Sequence, residues 1–272
     1  MHAASNTVDW PKSSDEFVEA FAKGLAVISS FGDGRDRLSI SDVAARTGLD
    51  RAGARRLLLT LVHLGFASQH DGRFVLTPRV LRLGFAYLSS LSLREIAQPL
   101  IESLSKSVNE PVAVSVMDGD EIVYVARATS ARVLSRQLVV GSRLPAYCTS
   151  MGRVLLAAKT LAELDHYLAI TDLVPFTRHT LSDREALRQE IGRVRRQGWA
   201  IVVNELELGV CGLAAPVRDN NGKVVAAINL SASLSRYTKA SYIETCLPPL
   251  LDVVGVVSGQ LQAETREDTK RT

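Results

Sequence analysis

Cysteine is scarce in this chain: among 272 residues there are three, at 148, 211 and 246, far apart and without paired spacing. That usage excludes a disulfide framework and suits a reducing cytoplasm, each thiol reading as a small buried apolar residue. The five histidines fall at no metal-ligand spacing with the cysteines, so no structural metal is expected. GxSxG, CxxC and P-loop motifs are all missing, which removes the commonest sequence signatures of acyl, redox and phosphoryl chemistry. The N-terminal MHAASNTVDWPKSSD has neither a basic segment nor an apolar core, so no export signal is expected. The longest apolar stretch, about 246–259, holds two prolines and Asp252 and reads as too interrupted to span a bilayer. A cytoplasmic protein without cofactor or membrane partner is the expectation. No internal repeat or low-complexity tract is visible, and only residues 1–12 and 265–272 read as disordered.

What is present is ordinary in sum and unusual in distribution. The chain is 46% hydrophobic and 22% charged, with a formal charge of +3, long enough for two domains with real cores. Between Gly34 and Arg82, however, there are nine arginines, no lysine and four aspartates, a local balance of 9 − 4 = +5. Basic character concentrated in under a fifth of the chain points to one phosphate-facing surface.

That segment reads as three helices and a hairpin. Ser13 and Glu16 form a capping box, after which Phe17, Phe21, Leu25 and Ile28 recur on one helical face until Gly32 and Gly34. A short second helix runs through ISDVAARTGL with Ser39 or Ser41 as its cap and Gly48 at its stop. Asp50 caps the third, in which Ala54, Leu57, Leu58, Leu61 and Val62 make a buried stripe. Phe66–Gln69 and Arg73–Leu76 flank an HDG turn suited to an antiparallel pair. Helices two and three joined by a tight turn, then a β-ribbon, make a winged helix-turn-helix over residues 13–77. Arg51, Arg55 and Arg56 crowd the positive pole of the third helix, where the dipole favours anions. A solvated face is the plain alternative, and winged helices also serve as protein-docking modules. An arriving phosphate or guanine edge explains the placement better. Ser41, Arg51, Ala52, Arg55, Arg56 and, on the wing, Arg73 are therefore the candidate DNA contacts.

Thr77-Pro78 opens a linker helix over 78–92, VLRLGFAYLSSL, apolar enough around its circumference to need a partner. A helix over about 93–109 follows. From Pro111 the texture turns to strands: VAVSVMDGDEIVYVARA as two runs, VLSRQLVV as a third, then WAIVVNEL, CGLAAPVR and VVAAINLSAS, the last pair turned by NNG. Helices intervene at 150–159, 161–170 and 182–197, the last with a Ser182/Glu185 box, and a closing helix covers about 239–264. Antiparallel strands with segregated helices make residues 93–264 an α+β sensory domain with a ligand cavity.

Five stretches in order resemble the IclR-type transcriptional regulators over nearly the full length: RRLLLTLVHLGF, TPRVLRLGFAYL, LPAYCTSMGRVLLA, GLAAPVRD and AAINLSAS. EFVEAFAKGLAVI and RLPAYCTSMGRVLLA resemble the branch that regulates protocatechuate, 4-hydroxybenzoate and β-ketoadipate catabolism. The resemblance implies a GAF-like effector domain, a homodimer or dimer of dimers pairing through winged-helix and linker regions, double-stranded operator DNA as partner and a small carboxylic acid as effector. Protocatechuate, 4-hydroxybenzoate and β-ketoadipate define that effector class.

The residues supply a pocket argument of their own. In CTSMGR, Ser150 reads as a cap that leaves the amides of Met151 and Gly152 pointing outward, a carboxylate site without a charged side chain; plain capping is the alternative. Asn229 and Ser231 alternate on one strand and so face one side. Cys211 or Gly212 approaches from the neighbouring strand, register deciding which. By the resemblance, the positions of Ser150, Met151, Gly212, Asn229 and Ser231 line the effector cavity. Arg136 is a further candidate partner for a carboxylate. The VVNELELG run departs from the more acidic run usual in the family, which suits an aromatic or longer aliphatic acid. Two other classes stand beside the sensor. One is a GAF-like redox enzyme using Cys148 beside the helix N-terminus; the other, a DNA-packaging scaffold, fits poorly with so large a second domain.

Overall fold

The computed structural model describes residues 17–31, 37–83, 92–130 and 138–271, in two units, Met1–Ser90 and Leu91–Thr272. In the first, helix α1 is Glu19–Ser29, α2 Ile40–Thr47 and α3 Arg51–His63. Ser39 settles the choice of cap on α2, its Oγ accepting from the Asp42 amide while Asp42 accepts from the Ser39 amide in return. Gly48 closes α2 at φ 69° and Asp50 caps α3 within three residues, so the two helices meet in a tight turn. Ala54, Leu58 and Leu61 are buried, with Leu57 and Val62 packed beside them on Val27, Val43 and Phe74. Strands β1 (Ala67–His70) and β2 (Arg73–Leu76) pair antiparallel. Asp71 and Gly72, both at positive φ, form the two-residue turn whose twist matches the strands. Leu38 exchanges two backbone hydrogen bonds with Phe74 and ties this wing to the helices.

The apolar face read along helix α1 is split: Ile28 packs half-buried on the core beside buried Val27, while Phe21 is 67% and Leu25 46% exposed. The Ser13/Glu16 box, Gly32 and Gly34, most of the linker helix beyond a 3-10 turn at Pro78–Val80, and Arg136 lie outside the described residues.

The second unit is built on one six-stranded sheet, with neighbouring strands antiparallel throughout, in the order β5-β4-β3-β8-β7-β6. The strands are β3 Val112–Asp118, β4 Glu121–Ala128, β5 Arg143–Pro145, β6 Ala200–Val203, β7 Val210–Arg218 and β8 Val224–Ser233. Helices α4 (Ser92–Val108) and α8 (Lys239–Arg271) pack with each other and on the sheet, α4 over β3 and β4, α8 over β7 and β8. Helix α5 (Ser150–Ala157) packs on β3, β4 and β6–β8 with α7 (Arg184–Gln197) behind it; α6 (Leu161–Ile170) joins that layer through buried Leu164 and Leu168. This is the α+β antiparallel-sheet architecture expected.

Four details differ. Residues 138–140, the described end of VLSRQLVV, are not strand, and the edge is formed by β5. Asp183, not Ser182, caps α7, accepting from the Ala186 amide at 2.8 Å. Helix α8 continues to Arg271 through the segment read as disordered. By length and composition Lys239–Ala263 is also apolar enough to cross a membrane, against the reading of an interrupted stretch. In this fold Tyr242, Cys246, Leu250, Val254 and Val257 recur at helical spacing and are buried, consistent with a helix packed on the sheet.

Candidate functional site

Between α5 and the sheet lies a cavity of about 100 Å³ whose walls include Ser150, Met151, Gly212, Asn229 and Ser231. Register explains the meeting. Gly212 pairs with Ser231 on β8 and with Val202 on β6, and Asn229 pairs with Ala113 on β3; directly paired residues point to one face. Cys211 therefore faces the other way. It is buried, its Sγ 3.4 Å from the Ala232 carbonyl, and it lies outside the cavity wall. Burial foremost, then the charge of Glu110, pushes its thiol up to about 12. Gly212 is where the helix comes closest: a Cβ there would stand 2.8 Å from Ser150 Oγ.

The N-terminus of α5 differs by one residue from the expectation. Thr149 is the cap, its Oγ1 accepting from the Gly152 amide at 3.2 Å, so that amide is taken and Gly152 does not line the cavity. A side chain at Gly152 would meet the Ala146 backbone at 2.1 Å; this glycine lets the helix seat on the Pro145–Cys148 segment. The amides left over are those of Ser150 and Met151, which have no hydrogen-bond partner among the described residues. Ser150, only 4% exposed, has no partner for its hydroxyl among the described residues either. Asn229 is 5% exposed and donates to Ser231 Oγ at 3.0 Å.

Sequence reasoning missed part of the wall. Tyr124 and Arg127 of β4 line the cavity, as do Glu205 and Glu207 of the β6–β7 loop. Burial pushes the Tyr124 phenol up to about 12, against the pull of the nearby Arg127 charge. Glu205 is anchored from behind by Arg153, which is 2% exposed: Nη2 donates to Glu205 Oε2 at 2.6 Å and Nε to the Tyr147 carbonyl at 3.0 Å. The Leu181 amide donates to the same carboxylate oxygen at 3.0 Å, and Glu190 stands 3.8 Å from Arg153. Burial alone would raise the Glu190 carboxyl, but hydrogen bonds and charge from Arg193, with Arg153 beyond, hold it below the ordinary value. The only advance signal was the acidic pair in NELELG; its partner lies on a helix fifty residues earlier, beyond any local pattern.

In the first unit Ser41, Arg51, Ala52, Arg55, Arg56 and Arg73 are all exposed. Not every arginine of the basic segment is available. Arg46 donates to the Ser30 carbonyl, and Arg79 lies 5.5 Å from the centre of the Phe66 ring. The guanidinium groups of Arg51, Arg55, Arg56 and Arg73 have no partner among the described residues. Three of them sit on the first two turns of α3, where the dipole is positive. Among the described residues no carboxylate forms an ion pair with that cluster.

Residues 20–71 match the IclR helix-turn-helix domain and residues 85–258 the bacterial transcriptional regulator IclR C-terminal domain. The chain is 44% identical over 237 residues to the Pca regulon regulatory protein of Pseudomonas putida, covering 87% of this chain and 81% of that protein. It is 34% identical over 250 residues to the p-hydroxybenzoate hydroxylase transcriptional activator of Acinetobacter baylyi, covering 88% and 92%. The crystal structure of an IclR homologue from Microbacterium hydrocarbonoxydans, complexed with 4-hydroxybenzoate, superposes with a TM-score of 0.80 at 25% identity, covering 90% of this chain and 99% of that one. These relatives are regulators rather than enzymes, and the Cys148 alternative falls with that. The two curated relatives support the branch to which the sequence is similar. With both of its domains matched, the chain belongs to the IclR family of bacterial transcriptional regulators, and it binds DNA through its helix-turn-helix.

Proposed function

We propose that this regulator reads operator DNA with the first turns of α3 and changes that binding when a small carboxylic acid fills the cavity of its second domain. The observation that carries the proposal is the buried first turn of α5: two unused amides and the hydroxyl of Ser150, a residue only 4% exposed whose hydroxyl has no partner among the described residues, line a cavity otherwise largely apolar. Buried donors without partners cost free energy unless something accepts from them. A carboxylate is the acceptor that also suits the helix dipole. At about 100 Å³ the cavity is of the order of the ~150 Å³ that takes a benzene ring, so a one-ring or six-carbon acid is the size that fits. The protocatechuate, 4-hydroxybenzoate and β-ketoadipate class meets that limit, and 4-hydroxybenzoate is the ligand of the Microbacterium homologue.

In this reading Ser150 and Met151 hold the carboxylate, while Gly212, Asn229 and Ser231 form the opposite wall. On the DNA side, Arg51, Arg55 and Arg56 with Ser41 and Ala52 face the major groove, and Arg73 lies against the backbone from the wing. One short helix reads few base pairs, so the working unit is a dimer on a partly palindromic operator. Support for self-pairing comes from α1, where Val18, Phe21 and Leu25 leave an apolar stripe exposed.

Titration calorimetry with protocatechuate, 4-hydroxybenzoate and β-ketoadipate tests the effector half. Wild type should bind at least one of them. Ser231→Leu should fill the cavity and abolish that binding while DNA binding persists. If wild type binds none of the three, the effector class is wrong; if Ser231→Leu binds as well as wild type, the site is elsewhere.

A further inference from the structure

The cavity has a second polar pole that neither the α5 amides nor the Asn229–Ser231 pair accounts for. We infer that Arg127 is a second anion anchor, so that the effector is a short dicarboxylate held at one end by the first turn of α5 and at the other by the Arg127 guanidinium. The inference rests on the reading of this cavity as the effector site.

Arg127 pairs with Ala113, and Ala113 pairs with Asn229, so the three side chains form one row across β4, β3 and β8 on the cavity face. Ser150 meets the sheet at Gly212 on β7, the next strand beyond β8. The two poles thus stand about three strand spacings apart, roughly 14 Å across the sheet. An arginine side chain reaching inward shortens that to the span of a one-ring or six-carbon diacid. A monoacid of that size fills the space and leaves one pole unmet.

The charges favour an anion at Arg127. Its guanidinium has no hydrogen-bond or ion-pair partner among the described residues, although it lines the wall of a cavity and is half-buried. Of the two cavity carboxylates, Glu205 is already matched by Arg153 at 2.6 Å and by the Leu181 amide. Glu207, the other, likewise has an interaction of its own. Tyr124, buried beside Arg127 and held as the neutral phenol, can donate to the same carboxylate. A planar, always-charged fork is the side chain that takes a carboxylate bidentately.

Adipate and its monomethyl ester make the test, since they share a chain length and differ by one negative charge. Calorimetry on the full chain should give wild type at least about a tenfold preference for the diacid, the size of a charge-assisted hydrogen bond. Arg127→Met should bring the ratio of the two affinities to about one, with operator binding unchanged. Arg127→Lys, which keeps the charge and loses the fork, should fall between. A merely structural role for Arg127 would lower both affinities together and leave the ratio alone, which would overturn the inference. Equal binding of the two probes by wild type would also overturn it while leaving the effector cavity standing. Binding of neither, nor of the three acids above, would remove both.

Discussion

The two helix ends proposed to meet anions are built in opposite ways. Helix α3 begins at Asp50 with Arg51, Arg55 and Arg56 exposed. Helix α5 begins at Thr149 with Ser150, Met151, Gly152 and Arg153 all buried. In water, backbone amides alone hold an anion weakly, and long cations add range and attraction. In the interior a free cation is costly, while amides and hydroxyls are cheap to bury and strong once desolvated. So the exposed end recruits charge, and the buried end recruits neutral donors and ties up its one arginine internally. In the function proposed above, the same dipole serves a long, salt-sensitive polyanion at one site and a small acid at the other.

The contrast breaks most severely if the buried arginine is removed. Arg153→Met leaves Glu205 without its ion-pair partner, and loss of one member of a buried pair costs about 3–5 kcal/mol. Arg55→Ala, on the exposed end, should move stability by no more than about 0.5 kcal/mol. Denaturant melts of both variants check the pair of expectations; a tolerated Arg153→Met would mean its network is not structural.

For function the order reverses. Arg55→Ala or Arg56→Ala should weaken operator binding by about 1–3 kcal/mol if the side chain reads a base edge. A loss equal on operator and random duplex in a mobility-shift titration would assign it to phosphate, and no loss at either position would move recognition off α3.

How much of this contrast could be read beforehand depends on how local its causes are. The α3 end was legible: cap, stripe and outer arginines lie within sixteen consecutive residues, and the Asp71–Gly72 turn fixes the wing beside it. The α5 end was half legible. CTSMGR announced a helix start, but Thr149 and Ser150 are both good caps, and only the seating of Gly152 on Ala146 selects the first. Cys211 against Gly212 was a question of register, which flips every side chain with a one-residue slip. Arg127 and Glu205 reached the wall through pairings with distant segments. The apolar face of α1 was legible, but not its exposure, because periodicity reports that a face is apolar and not which surface covers it.

A smaller effect concerns pH. Cys211, raised to about 12 on the strand beneath the cavity, stays protonated in the folded chain while an unfolded thiol ionises near 9. Its contribution to stability is fully present below pH about 9 and is lost as pH rises toward about 12. Cys211→Ala should flatten that part of the alkaline stability curve, and melts in the same pH series check it. The acidic leg should be unaffected. On the DNA side, the smallest expected change is for Arg73→Gln, which should lower the salt slope of operator binding by roughly one unit per chain and leave sequence preference intact.

Salt is the most direct test of the difference between the two helix ends. Operator affinity and acid affinity should be measured on the same preparation between about 50 and about 200 mM salt. Four unpartnered arginines per chain, eight in the dimer, predict a fall in operator affinity on the order of ten-thousandfold. The cavity, screened by protein rather than by ions, predicts a change in acid affinity of less than about threefold. Parallel decline of the two would contradict the account, because it would place the acid on exposed cations instead of on the buried donors of α5.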